Sequence, residues 1–437
     1  MGMHSKAPGS AESADAIAAG STPAAIATAM AAVTLTTIPN PTTLDSFGNT
    51  KIAELRTVGD YAMVSDALPE TIFTHNSGSN TSGTYDSNSA SYELALGDGG
   101  TTADTGHKLR RTRHHHYLAG HSQEIAITWV GGTAHASVRR DVGYFDNNNG
   151  VMLKEKNGAL TLLIRDSTSG SVVETNAIAQ ASWSEDTFDG SSDANNPSGK
   201  TLDSTVRNIM VIDLQWLAVG TVRVGFDWGG SDGVIWAHYF VHQGVSGVLP
   251  YMATATLPVS WQISAEGGEV TTKHTMTQIC AAVGQRGGTA AEGVPKSAGN
   301  GSTTISVTTR RPICSVRAQS NLVPIIINHI ETFSEDKAAH WELVRNGALT
   351  NASFANVTNS SIALDVAATG ITGGFVLDGG YVAADKGKTA GTPQQSASKT
   401  TLGIHPDGTT YDTVTIVCTS MTTATDCAGM ITVLQLK

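Results

Sequence analysis

Residues 143–170 read GYFDNNNGVMLKEKNGALTLLIRDSTSG, residues 211–230 read VIDLQWLAVGTVRVGFDWGG, and residues 249–268 read LPYMATATLPVSWQISAEGG. No other part of the chain is as dense in strand signals as Gly143 to Glu266. Val222, Val224, Phe226 and Trp228 alternate with Thr221, Arg223, Gly225 and Asp227, the two-residue period of a strand with one buried face. Met210, Ile212, Leu214 and Trp216 share one face of a strand that is apolar on nearly both sides, as in the middle of a sheet. Leu160–Ile164 is bracketed by the turn pairs Asn157-Gly158 and Ser169-Gly170. Val234–Val241 and Ser260–Ser264 add further short strands. Such spacing predicts an antiparallel sandwich or jelly roll.

The same texture extends outward. Ile125, Ile127 and Trp129 alternate with Glu124, Ala126 and Thr128, a half-buried strand. YELAL at 92–96, RRPICSVRAQ at 310–319, NLVPIIINHIETFS at 321–334, HWELVRNG at 340–347, TVTIVCTS at 413–420 and MITVLQLK at 430–437 read as strands. The stretches NSGSNTSG (76–83), AAEGVPKSAGNGSTT (290–304) and 378–400 read as loops. The last strand is expected at a sheet edge or as a docking element. Residues 1–50 are rich in Ala, Thr, Ser and Pro and read as an extended arm. One helix is expected in the arm, Pro23 to Val33, capped by Thr22 and stopped by Pro39 and Pro41. The expected division is therefore an arm at 1–50, a β-sandwich core domain at 51–289, and a second β-rich region at 290–437. No fixed-period repeat of a propeller or solenoid is evident.

Composition agrees with an all-β chain. Charged residues are 15%, against about 25% in ordinary globular proteins, and turn-forming Gly, Ser, Thr and Asn replace them. A net charge of −11 argues against a nucleic-acid partner, because phosphate binding needs clustered Lys and Arg. The Ala-rich stretch Ala14–Val33 lacks a basic lead and a compact apolar centre. It is also too weakly apolar to span a bilayer. The expectation is a protein made in a cytoplasm that stays there or leaves inside a larger particle, with no membrane insertion. Cys280, Cys314, Cys418 and Cys427 form no CxxC pair, so zinc is not indicated. Cys418 and Cys427 flank TSMTTATD and are placed to lie across a hairpin; buried free thiols are the expectation, and a disulfide is the alternative.

Several groups carry residue types capable of chemistry. His114-His115-His116, with His107 and His121, is flanked by Arg110, Arg111 and Arg113 instead of carboxylates. Cationic neighbours disfavour a metal, so packing is the expected role. Asp146-Asn147-Asn148-Asn149-Gly150 lacks the ligand alternation of a calcium loop and reads as a tight turn. Glu185, Asp186 and Asp189 are carboxylates of the kind used in glycoside hydrolysis, but a loop this polar normally solvates them. Trp183, Trp216, Trp228, Trp236, Trp261 and Tyr251 are sugar-stacking residue types, and alternation turns most of them inward. No GxSxG, HExxH or P-loop is present. No residue is assigned as catalytic, cofactor-binding or metal-ligating, and no cofactor is expected.

Four blocks together resemble a family of structural virion proteins of tailed bacteriophages and large DNA viruses. They are RRTRHHHYLAGHSQEIAITW (110–129); RDVGYFDNNNGVMLKEKNGALTLLIRDSTSG (140–170), with its G-aromatic-F-D-x-x-N-G-V pattern; VIDLQWLAVGTVRVGF (211–226) paired with YMATATLPVSWQI (251–263); and RRPICSVRAQ (310–319) with NGALTNASFANVTNSSIALD (346–365) and GGFVLDGGYV (373–382). The resemblance covers roughly residues 88–382. It implies a non-enzymatic virion subunit, assembled in the host cytoplasm. A tail, baseplate or tail-fibre location comes first, and capsid decoration or head fibre second. Expected partners are other virion proteins and copies of itself, a trimer first, with a host-surface glycan as a further contact. A carbohydrate-binding module is the alternative from another class, and a glycan depolymerase the third. In either particle location the arm at 1–50 is expected to be the anchor.

Overall fold

The computed structural model describes residues 55–64, 72–97, 103–241, 250–287, 293–319, 323, 325–384, 388–391, 401–403 and 410–436. The expected arm at 1–50 and its helix Pro23–Val33 lie outside the described residues. Within them the chain is all-β, and every strand pairing is antiparallel. No helix among the described residues is long and apolar enough to cross a membrane.

The first sandwich has an 8-stranded sheet and a 7-stranded sheet. Across the first sheet the order is Val234–Phe240, Val222–Asp227, Asn208–Leu214, Gln123–Val130, His274–Arg286, Ser91–Leu96, Ser82–Asp86, with Leu55–Ala62 also paired to His274–Arg286. Across the second it is Val173–Ala179, Ala159–Asp166, Gly150–Lys156, Val138–Phe145, Val259–Ala265, His107–Thr112, Ile72–Ser77. Ile125, Ile127, Met210, Ile212, Val222 and Val224 from one sheet pack with Val142, Tyr144, Leu153, Ile164 and Trp261 from the other in one buried core. The alternation read at 124–129 is the observed one: Gln123, Ile125, Ile127 and Trp129 are buried and their neighbours half-buried.

Asn157 and Gly158 close a two-residue hairpin, with Lys156 opposite Ala159. Both have positive φ, +52° and +78°, which matches the right-handed strand twist and favours this Asn-Gly pair. The 146–149 turn joins Phe145 to Gly150. Asp146 Oδ1 accepts the amides of Asn148 and Asn149, each at 2.7 Å. It is therefore the tight turn expected from its composition.

The second sandwich has two 6-stranded sheets among the described residues. The third sheet runs Gly293–Gly299, Thr425–Leu436, Ile325–Ser334, Lys388–Gly391; Ile305–Val307 and Thr401–Leu402 also join it. The fourth runs Ala355–Asn356, Ile362–Asp365, Arg311–Ala318, Thr413–Ser420, Ala339–Arg345, Phe375–Val382. Its separate core draws Ile325, Ile327, Ile431 and Val433 from one sheet and Val316, Trp341, Leu343 and Ile416 from the other.

The structure differs from the sequence expectations at five places. Residues 293–299, read within a loop, form an edge strand against Thr425–Leu436. An edge tolerates Pro295 and Lys296, because a strand with one neighbour leaves an amide unused. Asp378–Val382 belongs to the strand Phe375–Val382, and 388–391 forms another strand. Of the 76–83 stretch, Asn76 and Ser77 end one strand and Ser82 and Gly83 begin another. The C-terminal strand is interior, with Gly293–Gly299 on one side and Ile325–Ser334 on the other. That also separates Cys418 and Cys427. They do not face each other across a hairpin but sit on different sheets, and their thiols meet in the core as free cysteines.

Candidate functional site

The histidines are placed by packing. After strand His107–Thr112 the chain runs on extended, joined to the core by an isolated bridge between His115 and Leu257. His115 is buried between Tyr61 and Tyr144. Its Nε2 shares a hydrogen bond with the Tyr61 hydroxyl at 2.8 Å. Burial pulls its pKa down to about 3 and that of His116 down to about 4. His114 lies 3.7 Å from Asp146, and His121 Nδ1 bonds the Arg286 carbonyl at 2.9 Å. His107 stands apart from these, beside His75. Among the described residues no group of three or more His, Cys, Asp or Glu is arranged to hold a metal.

In the acidic loop, backbone amides engage the carboxylates of Asp186 and Asp189. Asp186 is buried and accepts the amides of Phe188 and Ser198, both at 3.0 Å. Asp189 accepts the Ser191 amide at 2.9 Å, and the Glu185 amide bonds Ala237. The Asp186 and Asp189 carboxylates thus brace loop backbone. Trp183, Trp236, Trp261 and Tyr251 are buried, and Trp216 and Trp228 pack partly buried against the first core.

What strand pairing does assemble is a charged row on the outer face of the first sheet. Asp213 is directly opposite Glu124 on one side and Arg223 on the other, so their Cβ atoms stand about 4.5–5.5 Å apart. Arg223 donates from Nη2 to Asp213 Oδ2 at 2.6 Å and from Nε at 3.0 Å. Its guanidinium lies 4.2 Å from the centre of the Trp236 ring. Arg286 donates to Glu124 Oε2 at 2.9 Å. Glu124, Asp213 and Arg223 each fall on the polar phase of a readable strand. Their meeting depends on a register between strands distant in sequence, which no local pattern encodes. The two carboxylates are each held by a guanidinium, so the row is an ion-pair ladder.

On the same face lies a polar groove of about 590 Å³, lined by residues that include Asp86, Glu93, Thr128, Arg207, Lys273 and Thr277. Lys273 pairs with Glu93 at 2.6 Å. The Ser89 hydroxyl and the Asn88 amide hold Asp86 below the usual carboxylate range. A carboxylate so held is poorly suited to donate a proton. No aromatic ring is among the lining residues.

A second network covers the outer face of the second sheet. Arg139 meets Asp141 at 2.8 Å, Glu174 at 2.8 Å and Glu266 at 3.3 Å. Arg165 meets Glu174 at 2.8 Å. Burial pushes the Glu174 carboxyl up, but the guanidiniums of Arg139 and Arg165 outweigh it and bring it from 4.5 to about 2. A folded pKa below the unfolded one means stability is present above the unfolded value and lost as pH falls through the folded one. Thermal unfolding scans should therefore show the melting temperature falling from pH 4.5 towards pH 2. Glu174→Gln should lower stability at neutral pH and flatten part of that acid limb. An unchanged limb would remove Glu174 from the acid response.

No protein-family model matches this sequence, and no curated protein matches it. Solved structures that are similar include a protein of unknown function from Shewanella oneidensis MR-1, at 11% identity and a TM-score of 0.32, with 56% of this chain and 91% of that one covered. An endo-1,3-β-glucanase from Streptomyces sioyaensis is similar at 10% identity and a TM-score of 0.35, covering 53% and 95%. A Bauhinia forficata lectin in complex with GalNAc is similar at 12% identity and 0.28, covering 53% and 98%. Likeness this distant carries no function to the chain.

Proposed function

We propose that the chain is a non-enzymatic structural subunit of a virus particle, assembled in the host cytoplasm. A bacteriophage tail, baseplate or fibre is its first location and capsid decoration or head fibre its second. The observation that supports an assembly role is that five of the fourteen exposed large apolar side chains among the described residues lie on edge strands. Leu55 and Val58 are on Leu55–Ala62, Val294 on Gly293–Gly299, and Val376 and Tyr381 on Phe375–Val382. Each of these strands has a single described neighbour in its sheet. An open strand edge with exposed apolar groups is a surface that other chains pair with or cover. The virion-protein resemblance over residues 88–382 supplies the kind of assembly.

Incorporation into purified particles tests the reading. Deleting residues 1–50 is expected to abolish incorporation while the strand-rich circular dichroism spectrum stays. Val376→Asp and Tyr381→Asp should weaken assembly with little effect on folding, since both side chains are more than half exposed. Normal copy number for all three variants would end this proposal. In a density map of the particle, contact with the capsid lattice would select the head location over the tail. A second reading, glycan binding, draws on the polar groove of the first sheet; a glycan array without signal would dispose of it.

A further inference from the structure

At one corner of the second sheet, strands Ile72–Ser77 and His107–Thr112 run antiparallel with Ser77 opposite His107 and His75 opposite Leu109. His75, Ser77 and His107 therefore stand on one face, with the two histidines diagonal to each other. Their rings face at 5.1 Å between centres. His75 Nδ1 is 3.1 Å from His107 Nε2, and His107 Nδ1 is 2.8 Å from the Ser77 hydroxyl. Both rings are half-buried and so reachable from solvent.

The geometry points to a divalent-metal site of the imidazole-preferring class, with zinc held between His75 Nδ1 and His107 Nε2 and water completing the shell. Two nitrogens bound to one tetrahedral zinc, each about 2.0–2.1 Å from it, stand about 3.3 Å apart. The observed spacing is close to that before any ion enters. Ser77 performs the orienting task that second-shell partners have at histidine–metal sites. With the Nδ1 proton of His107 donated to the Ser77 oxygen, Nε2 presents its lone pair towards His75. Zinc takes the place of the proton on His75 Nδ1, and that proton moves through solvent to Nε2 of the same ring, so binding needs no net change of charge on the histidines.

The surroundings bear on this in both directions. Burial first, then the neighbouring His75 and Arg111, hold His107 below the usual histidine pKa, which keeps it in the neutral form that binds metals. Arg111 opposes a cation. Asp104 stands at the same corner: its Oδ1 accepts the amide of Gly106, the residue before His107, at 2.9 Å. Its buried Oδ2 has no hydrogen-bond partner. The site is independent of the particle reading above.

Calorimetric titration of the full chain with zinc chloride tests the proposal. One equivalent of zinc is expected to bind, that binding to vanish in His75→Ala and in His107→Ala, and Ser77→Ala to weaken it about tenfold. His274→Ala removes one member of the other close histidine pair, His135 and His274, whose rings are 4.4 Å apart; it should leave the isotherm unchanged. As a check that needs no variant, zinc should protect His75 and His107 of the unaltered chain from diethylpyrocarbonate, read by peptide mass spectrometry. Absence of the one-equivalent site, its survival in the His75 or His107 variant, or protection of other histidines instead would overturn the proposal.

Discussion

Asp213→Ala is expected to destabilise the first sandwich by about 3–5 kcal/mol, the usual cost of removing one partner from a buried ion pair. The Asp213 and Arg223 side chains are 0% and 4% exposed. The carboxylate receives two guanidinium hydrogen bonds, at 2.6 and 3.0 Å. Trp236 covers the guanidinium, so water cannot readily replace the lost carboxylate. The cost arises from leaving Arg223 charged and desolvated, not from the pair's own net worth. A double variant, Asp213→Leu with Arg223→Met, removes both charges and should recover much of the loss. Urea unfolding monitored by tryptophan fluorescence measures both. A loss under about 1 kcal/mol for Asp213→Ala would mean that solvent reaches Arg223, as at an exposed pair. Should the single variant not express, stable expression of the double variant still tells the two cases apart.

Trp261→Ala should cost about 3–5 kcal/mol, the range for truncating a large buried aromatic. Trp261 is fully buried on Val259–Ala265 of the second sheet. Its indole N–H donates, at 3.4 Å, to the Thr128 carbonyl on Gln123–Val130 of the first sheet. The side chain thus fills the core and ties the two sheets together. Trp261→Phe keeps most of the apolar volume and drops that weak hydrogen bond, so a loss of about 1 kcal/mol is expected beyond the small change in packing. Tyr381→Ala is the matched control: an exposed aromatic on an edge strand should shift stability by under about 0.5 kcal/mol. Equal losses at Trp261 and Tyr381 would contradict the core assignment.

The candidate site was far less legible than the fold. Arg110 and Arg111 read as part of a basic, histidine-rich run, yet both are buried. Arg110 faces inward and donates to Gln278 at 2.6 Å beneath the Tyr92 ring. Arg111 faces the other way and donates to Ser260 at 3.1 Å and Asn147 at 3.0 Å. Period-two alternation sends consecutive residues to opposite faces but does not say what waits there. His75 carried no signal at all, because its neighbour His107 lies on a strand that only the register brings alongside.

The strands with a strongly apolar face were decided locally. Gln123–Val130, Val222–Asp227 and Val259–Ala265 show it in their alternation, and Asn157-Gly158 shows it in a turn that needs positive φ at both positions. Burial of alternate side chains is a property of each segment, so the sequence by itself determined the all-β class and much of the first core. Edge strands such as Gly293–Gly299 and Phe375–Val382 bury too little to leave that imprint, and only the tertiary structure showed them. It also decided that the C-terminal strand is interior, that Cys418 and Cys427 meet from different sheets, and that Glu124, Asp213 and Arg223 form one row. These outcomes depend on which strands pair and in what register. That choice is set by the packing of the whole sandwich, because any one strand's pattern is compatible with many neighbours.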